Sequence, residues 1–260
     1  CFLNHSTACR RDFQTLPAAR AGDLQLKFEA LAKGANVTVL SRSPWLLKFE
    51  SFLTNSDADA LVLAAGHKFE RSRATGDENI SSEAAYARTS HTSWCNVPSC
   101  LEDPVYLEVR NRISDLLGVP WQNSEHLQLL RYEVGQFYSE HHDQISPRYS
   151  AWGPRLYTFF MYLSDVEEGG GTLFTKLNLT IIPRKGDAIL WPSVHSDDPF
   201  ETDTRTYHEA IRVQRGTKFA ANFWVHMYNF QDPLMRGCDN QNYLQWDYMD
   251  GHKEHKTKVN

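Results

Sequence analysis

The sequence has no apolar run of membrane-spanning length, no block of Lys and Arg, no internal repeat and no CxxC pair. The first absence excludes a hydrophobic transmembrane helix. The second removes electrostatic support for a nucleic-acid partner, as does a formal net charge of −5. The third excludes solenoid architectures, and the fourth a zinc-ribbon framework. What remains is 260 residues, 41% hydrophobic and 23% charged. That is a globular composition with enough chain to bury a substantial core.

Cysteine is scarce: Cys1, Cys9, Cys95, Cys100 and Cys238. Cys95 and Cys100 flank a turn-like NVPS and are expected to close a small loop. Cys1 can pair with Cys9, which leaves Cys238 over; the alternative is that the cysteines are unrelated free thiols. Asn-x-Ser/Thr sequons begin at Asn4, Asn36, Asn79 and Asn178. Sequons together with pairable cysteines point to the secretory pathway, in the endoplasmic reticulum or Golgi lumen. Beginning at Cys1, the chain reads as a processed form, any signal peptide removed. Membrane association is expected only through an N-terminal anchor outside it.

Along the chain, DLQLKFEALAKG predicts a short helix closed by Gly34. VTVL and PWLLKFESFL read as strands. Asn55-Ser56-Asp57 is expected to cap the helix DADALVLAAG, stopped by Gly66. The spacing predicts a helix over 103–117, with Asp103 as N-cap, Pro104 at its first position and Gly118 as terminator. Its apolar face is Val105, Val109, Ile113, Leu116 and Leu117. From His126 onward the pattern changes to short apolar or alternating runs: HLQLLRYEV, RLYTFFMYL, LTIIP, GDAILW, HEAIRV and KFAANFWVHM. These imply a β-sandwich or barrel supported by an N-terminal helical layer. Residues 1–34 are read as an N-terminal segment, 35–232 as the domain with its β core at about 124–230, and 233–260 as a polar, frayed tail.

The chemistry concentrates in RYEVGQFYSEHHDQ. On a strand, His141 and Asp143 project to one side and His142 to the other. Two ligands do not complete a metal site; His195, His208 and His226 are the downstream candidates for a third. Two His and one carboxylate suit a non-haem Fe(II) oxygenase, and zinc can use the same set. HEAIRVQRGTK separates the two. Lys218 follows His208 by ten residues, across Gly216, and a strand-turn-strand hairpin would bring both into one pocket. A cation there suits 2-oxoglutarate, whose distal carboxylate must be neutralised inside the barrel. His195 has Arg205 at the same offset, but in a polar loop, and His226 has no comparable cation. The Asp197, Asp198, Glu201, Asp203 cluster reads as a solvated loop that could border the pocket.

RYEVGQFYSEHHD, FFMYLSDVEEGGGTLF, KGDAIL and HEAIRVQRGTKFAANFWVH, with FESFLTNSDADALVLAAG and ARTS upstream, resemble the prolyl 4-hydroxylase catalytic domain over roughly Pro44 to His226. This implies an α+β fold, a double-stranded β-helix (jelly-roll) core behind an N-terminal helical support layer. It also implies Fe(II) on His141, Asp143 and His208, and 2-oxoglutarate held by Lys218, Tyr132 and Thr172. Tyr138 and Trp224 match aromatics near iron and substrate. Arg88 and Ser90 match a peptide-binding loop, and Arg155 a substrate-channel arginine. Gly171 stands where the family commonly has Glu, and Thr175 where Pro is common. SHTSWCNVPSC is less family-like, which bears on substrate choice.

The implied reaction is hydroxylation of peptidyl proline at C4 with Fe(II), 2-oxoglutarate and O2, releasing succinate and CO2, with L-ascorbate rescuing over-oxidised iron. The implied partner is a proline-rich or collagen-like polypeptide in polyproline II conformation, lying in an aromatic groove. Alternatives are a 2-oxoglutarate oxygenase acting on lysine or a small molecule, a catalytically silent proline-rich-peptide binder, and a zinc hydrolase.

Overall fold

A computed structural model describes residues 9, 12–14, 16–66, 69–72, 87–146 and 150–238. Most of its helices lie early in the chain. α1 (Asp23–Leu31) buries Leu24 and Phe28. The strands β1 (Val37–Arg42) and β2 (Trp45–Phe49) follow, then α2 (Asn55–Ala64). The cap of α2 is Thr54, one residue before the expected Asn-Ser-Asp. Its hydroxyl accepts from the Asp57 amide while the Asp57 carboxylate accepts from the Thr54 amide. This reciprocal capping box satisfies two donors at once, which no single residue of the expected trio does.

After β3 (Glu70–Arg71), β4 (His91–Trp94) and the short α3 (Pro98–Leu101), α4 (Pro104–Leu117) forms as expected. The Asp103 carboxylate accepts from the amides of Val105 and Tyr106, Pro104 opens the helix, and Gly118 closes it in the left-handed conformation. Its buried face is Tyr106, Val109, Ile113 and Leu117; Val105 and Leu116 are only half-buried. Among the described residues no helix is long and apolar enough to cross a membrane.

The remaining strands are β5 (Gln128–Tyr132), β6 (Tyr138–His141), β7 (Arg155–Tyr162), β8 (Glu168–Gly169), β9 (Thr172–Phe174), β10 (Leu179–Ile181), β11 (Ala188–Pro192), β12 (His208–Ala210), β13 (Val213–Arg215) and β14 (Lys218–His226). Among the described residues they form a large sheet ordered β1-β2-β11-β7-β14-β5-β4-β3, a smaller one ordered β10-β9-β12-β6, and the pair β13-β8. This is the double-stranded β-helix.

Strand alternation divides the core. Phe159 and Met161 of β7, Leu190 of β11 and Phe223 and Val225 of β14 pack with Phe28, Leu61, Val109 and Ile113 beneath the helical layer. Their neighbours Phe160, Tyr162, Ile189, Trp191 and Ala220 turn the other way. They meet Phe174 and Ile181 of the small sheet. The helices thus cover one face of the large sheet and leave the other, between the sheets, for the site.

Three expectations are corrected. Cys9 bonds Cys238, not Cys1, because the segments around positions 9 and 238 meet on the small cluster containing Trp152 and Phe230. Cys1 lies outside the described residues, and the Cys95–Cys100 loop closes as expected. The polar stretch after Pro233 is therefore tied down at its start: a helix, α5 (Gln231–Met235), leads into the buried Cys238. Lys218 and His208 do not belong to one hairpin. β12 lies in the small sheet, β13 pairs with β8, and β14 returns to the large sheet. Of the sequon asparagines, Asn36 and Asn178 are exposed, and Asn4 and Asn79 lie outside the described residues.

Candidate active site

His208 pairs across the small sheet with His141, so sheet register itself places two imidazoles side by side, their centroids 4.3 Å apart. β6 ends at His141. Asp143 reaches the pair from the bend beyond it, not by the expected strand alternation. Its carboxylate lies 4.0 Å from His141 Nε2 and 3.8 Å from His208 Nε2, and among the described residues these three form the group able to hold one metal ion. Metal–ligand bonds of about 2.1 Å keep two atoms on one ion within roughly 4.2 Å, and both separations satisfy that limit.

The surroundings fix each ligand. His141 Nδ1 faces the Ser139 carbonyl at 2.9 Å, and His208 Nδ1 the Thr206 carbonyl at 3.0 Å. A carbonyl only accepts, so each Nδ1 carries the proton and each Nε2 presents its lone pair. Asp143 accepts from the Thr158 hydroxyl at 2.6 Å. Burial raises its pKa, but the nearby His208 and His141 and the Thr158 bond overcome that and hold it at about 2. Burial and the neighbouring His208 hold the His141 imidazole well below its usual range. The centre offers two imidazole nitrogens and one carboxylate.

His142 turns away from the group, as expected. The Gln144 amide donates to its Nδ1, so its Nε2–H donates to the Asp203 carbonyl and the Thr206 hydroxyl. It ties the end of β6 to the turn that delivers His208. Asp203, expected in a solvated loop, is 2% exposed and is gripped by Arg205 at 2.7 Å. Arg205 is spent there, far from the role of a pocket cation.

A cavity of about 240 Å³ opens over the ligands, lined by Tyr132, Tyr138, Phe160, Thr172, Trp191, Trp224 and Arg155 among others. From β14, Asn222 and Trp224 line it, while Lys218 lies against the rings of Tyr132 and Phe160, which line it too. Lys218 is fully buried, with Nζ 5.4–5.7 Å from the ring centres of Tyr132, Phe160 and Tyr162. Among the described residues it has no hydrogen-bond partner, and burial lowers its pKa to about 7. The indole N–H groups of Trp191 and Trp224 are likewise buried without acceptors. Burial pushes the Tyr132 phenol up. The Tyr162 hydroxyl donates to Thr172 at 2.9 Å.

The candidate substrate residues surround the mouth. Tyr138 stacks on His141 at 3.6 Å, and the Arg88 guanidinium lies 4.5 Å from the Tyr138 ring. Arg88 is 8% exposed and donates to Ser90, which is itself fully buried. Arg88 lines the cavity, whereas Ser90 does not. Arg155 stacks on Trp224 at 3.9 Å and donates to the Asp143 carbonyl and to Glu125. His226 meets the same Glu125 oxygen at 2.8 Å. Burial would raise Glu125, but Arg155 and then His226 reverse this and hold it at about 2. Glu125 and Thr158 escaped the sequence reading, and His226, weighed there only as a third ligand, instead bonds Glu125. Alternation from Lys218 along β14 could have indicated His226; nothing local marked Glu125.

The family model described as 2OG-Fe(II) oxygenase superfamily matches residues 127–226. Fold and site together define the class: an oxygenase that uses Fe(II) and 2-oxoglutarate. "Probable prolyl 4-hydroxylase 8" of Arabidopsis thaliana is 32% identical over 213 residues, 74% of this chain and 72% of that one. The chain belongs to the prolyl 4-hydroxylase family. "Prolyl 4-hydroxylase subunit alpha-1" of Mus musculus is 30% identical over 70% of this chain and 34% of its own length. The solved viral collagen prolyl hydroxylase vCPH from Paramecium Bursaria Chlorella virus-1, in its 2OG complex, superposes with a TM-score of 0.54 and 27% identity. It covers 70% of this chain and 95% of that one.

Proposed function

We propose that this protein hydroxylates C4 of a proline within a proline-rich or collagen-like polypeptide, with release of succinate and CO2. The observation that carries the reading is that, among the described residues, the buried, unpartnered groups at the cavity are all donors: Trp191 Nε1 and Trp224 Nε1 in its lining, and Lys218 Nζ against the lining rings of Tyr132 and Phe160, in a cavity that also holds His141, Asp143 and His208. Buried donors without acceptors cost about 1–3 kcal/mol each. A dicarboxylate keto acid and a proline-rich chain both bring mainly acceptors, since proline has no N–H.

The residues fit Fe(II). His141 Nε2, Asp143 and His208 Nε2 would hold it, leaving coordination sites open as oxygenases require. Bound iron, with 2-oxoglutarate and O2, supplies the oxidative decarboxylation and the oxygen atom that enters the substrate C–H bond. Lys218 neutralises the distal carboxylate, which returns the proton that burial disfavours. The Tyr132 phenol donates to the same carboxylate, and Thr172 closes that end of the pocket. Phe160 and Trp191 keep water from it. At the mouth Tyr138 presents a ring face backed by Arg88 and Ser90, and Arg155 and Trp224 offer N–H groups to substrate carbonyls. A polyproline II segment is already ordered and suits such a groove.

Two buried disulfides and exposed sequon asparagines at positions 36 and 178 support a secretory-pathway location. L-ascorbate is proposed as the reductant that restores iron oxidised in unproductive turnovers. The test is incubation with Fe(II), 2-oxoglutarate, ascorbate and a panel of proline peptides, reading succinate and peptide mass together. Succinate coupled to one added oxygen on proline supports the reading. Succinate with oxidation of lysine or of a small molecule replaces the substrate, and iron binding without succinate makes the protein a binder.

A further inference from the structure

Trp94 stands out at the edge of the site. Its side chain is 37% exposed although the next residue, Cys95, is fully buried. The backbone that carries the ring is fixed. β4 pairs with β5, Trp94 opposite Gln128. The ladder continues with the Cys95 amide donating to the Leu127 carbonyl at 2.9 Å, and the Cys95 sulfur is bonded to Cys100. An exposed aromatic on so fixed a backbone loses little freedom when something stacks on it. Its centroid lies 6.1 Å from that of Trp224, so the aromatic wall of the catalytic cavity continues outward. Beyond it lies a second cavity of about 280 Å³, walled by Thr92, Asn96, Val97 and Trp94 itself. Trp94 lines both cavities. Of the described residues lining the second cavity, the charged one is Glu70.

We propose that Trp94 and the cavity behind it form a second subsite for the same substrate polypeptide. It selects a further ring residue, a second proline, and favours a neutral or basic flank over an acidic one. The inference rests on the peptidyl-proline reading above. A polyproline II chain rises about 3.1 Å per residue, so the 6.1 Å between the two indoles corresponds to two residues. A proline ring stacked on Trp94 is therefore about two positions from the residue over Trp224. The disulfide loop, the least family-like part of the sequence, acts here as a specificity element.

The test uses the full chain and peptides of equal length, one with a single proline among Gly and Ser, one with prolines two positions to either side. The readout is the ratio of kcat/KM for the second over the first. The wild type is expected to favour the proline run by about two- to tenfold, the range of an aromatic stacking contact. Trp94→Ala should bring the ratio close to one, while Trp94→Phe keeps most of it. Trp94→Gln serves if Ala loosens the loop, with 2-oxoglutarate binding as the folding control. Changing a flanking Lys to Glu in the peptide should raise KM in the wild type and less in Glu70→Gln. A wild-type ratio of one, or a ratio that survives Trp94→Ala and Trp94→Gln in folded protein, overturns the subsite. Oxidation of neither peptide, with succinate still formed, overturns the proline reading itself.

Discussion

Lys218 is the residue whose replacement is most informative. Its ammonium is fully buried, unpartnered among the described residues and lowered to about 7 by burial. If it waits for a carboxylate, Lys218→Met should weaken 2-oxoglutarate binding by one charge-assisted hydrogen bond, about 1.5–3 kcal/mol, or roughly ten- to a hundredfold in Kd. The same substitution should not destabilise the ligand-free protein at neutral pH, since it removes a desolvated charge with nothing to pair with. The sign of the pH effect follows from linkage. Between about 7, its folded value, and 10.5, its ordinary one, the unfolded chain binds one more proton than the folded chain. Wild-type stability therefore rises with pH relative to Lys218→Met in that window, by at most about 1.4 kcal/mol per pH unit. Binding of 2-oxoglutarate at pH 8 should take up a proton at Lys218, and the variant should take up none. Calorimetry in buffers of different ionisation enthalpy reads both affinity and proton uptake. An unchanged Kd with no difference in proton uptake would refute the reasoning, as would a ligand-free variant several kcal/mol less stable.

Thr158→Val removes the hydroxyl that donates to Asp143 at 2.6 Å and should weaken metal binding by about 10- to 100-fold. Titration with Co(II), followed by its visible absorption, checks this without turnover. Glu125→Gln leaves Arg155 and His226 facing a neutral amide in a buried site and should cost about 3–5 kcal/mol in urea unfolding. In the wild type, the Glu125 contribution is present above about 4.5 and is lost as pH falls towards its folded value of about 2; the variant should show a shallower acid transition. Replacing Cys9 and Cys238 together by Ser opens a loop spanning 229 residues and should cost about 2–5 kcal/mol, measured as a fall in Tm.

The iron ligands were legible because a tight HxD and a downstream His followed by Lys are rare together, and the surrounding motifs matched a family. The route was less so. A hairpin was expected to unite His208 and Lys218, whereas they come from opposite sheets and converge because the sheets face each other. α4 was legible to the residue, since Asp103, Pro104 and Gly118 are local signals. The Cys9–Cys238 bond was not, because it depends on where two distant segments meet. Asp203 was misjudged for a related reason: acidic neighbours suggested solvent, but Arg205 two residues on neutralises it within a buried turn. Thr158 looked like one more residue in an apolar strand, and only the register of β7 beside β14 aims it at Asp143.

One turnover should split O2 between the keto acid and a prolyl carbon. A reaction under 18O2 with a proline peptide, with succinate and peptide analysed by mass and the hydroxyproline isomer identified, tests this. Label is expected in succinate, with one labelled oxygen on C4 of proline and equal amounts of the two products. Hydroxyproline carrying no label, or labelled succinate formed in full without hydroxyproline, would contradict it.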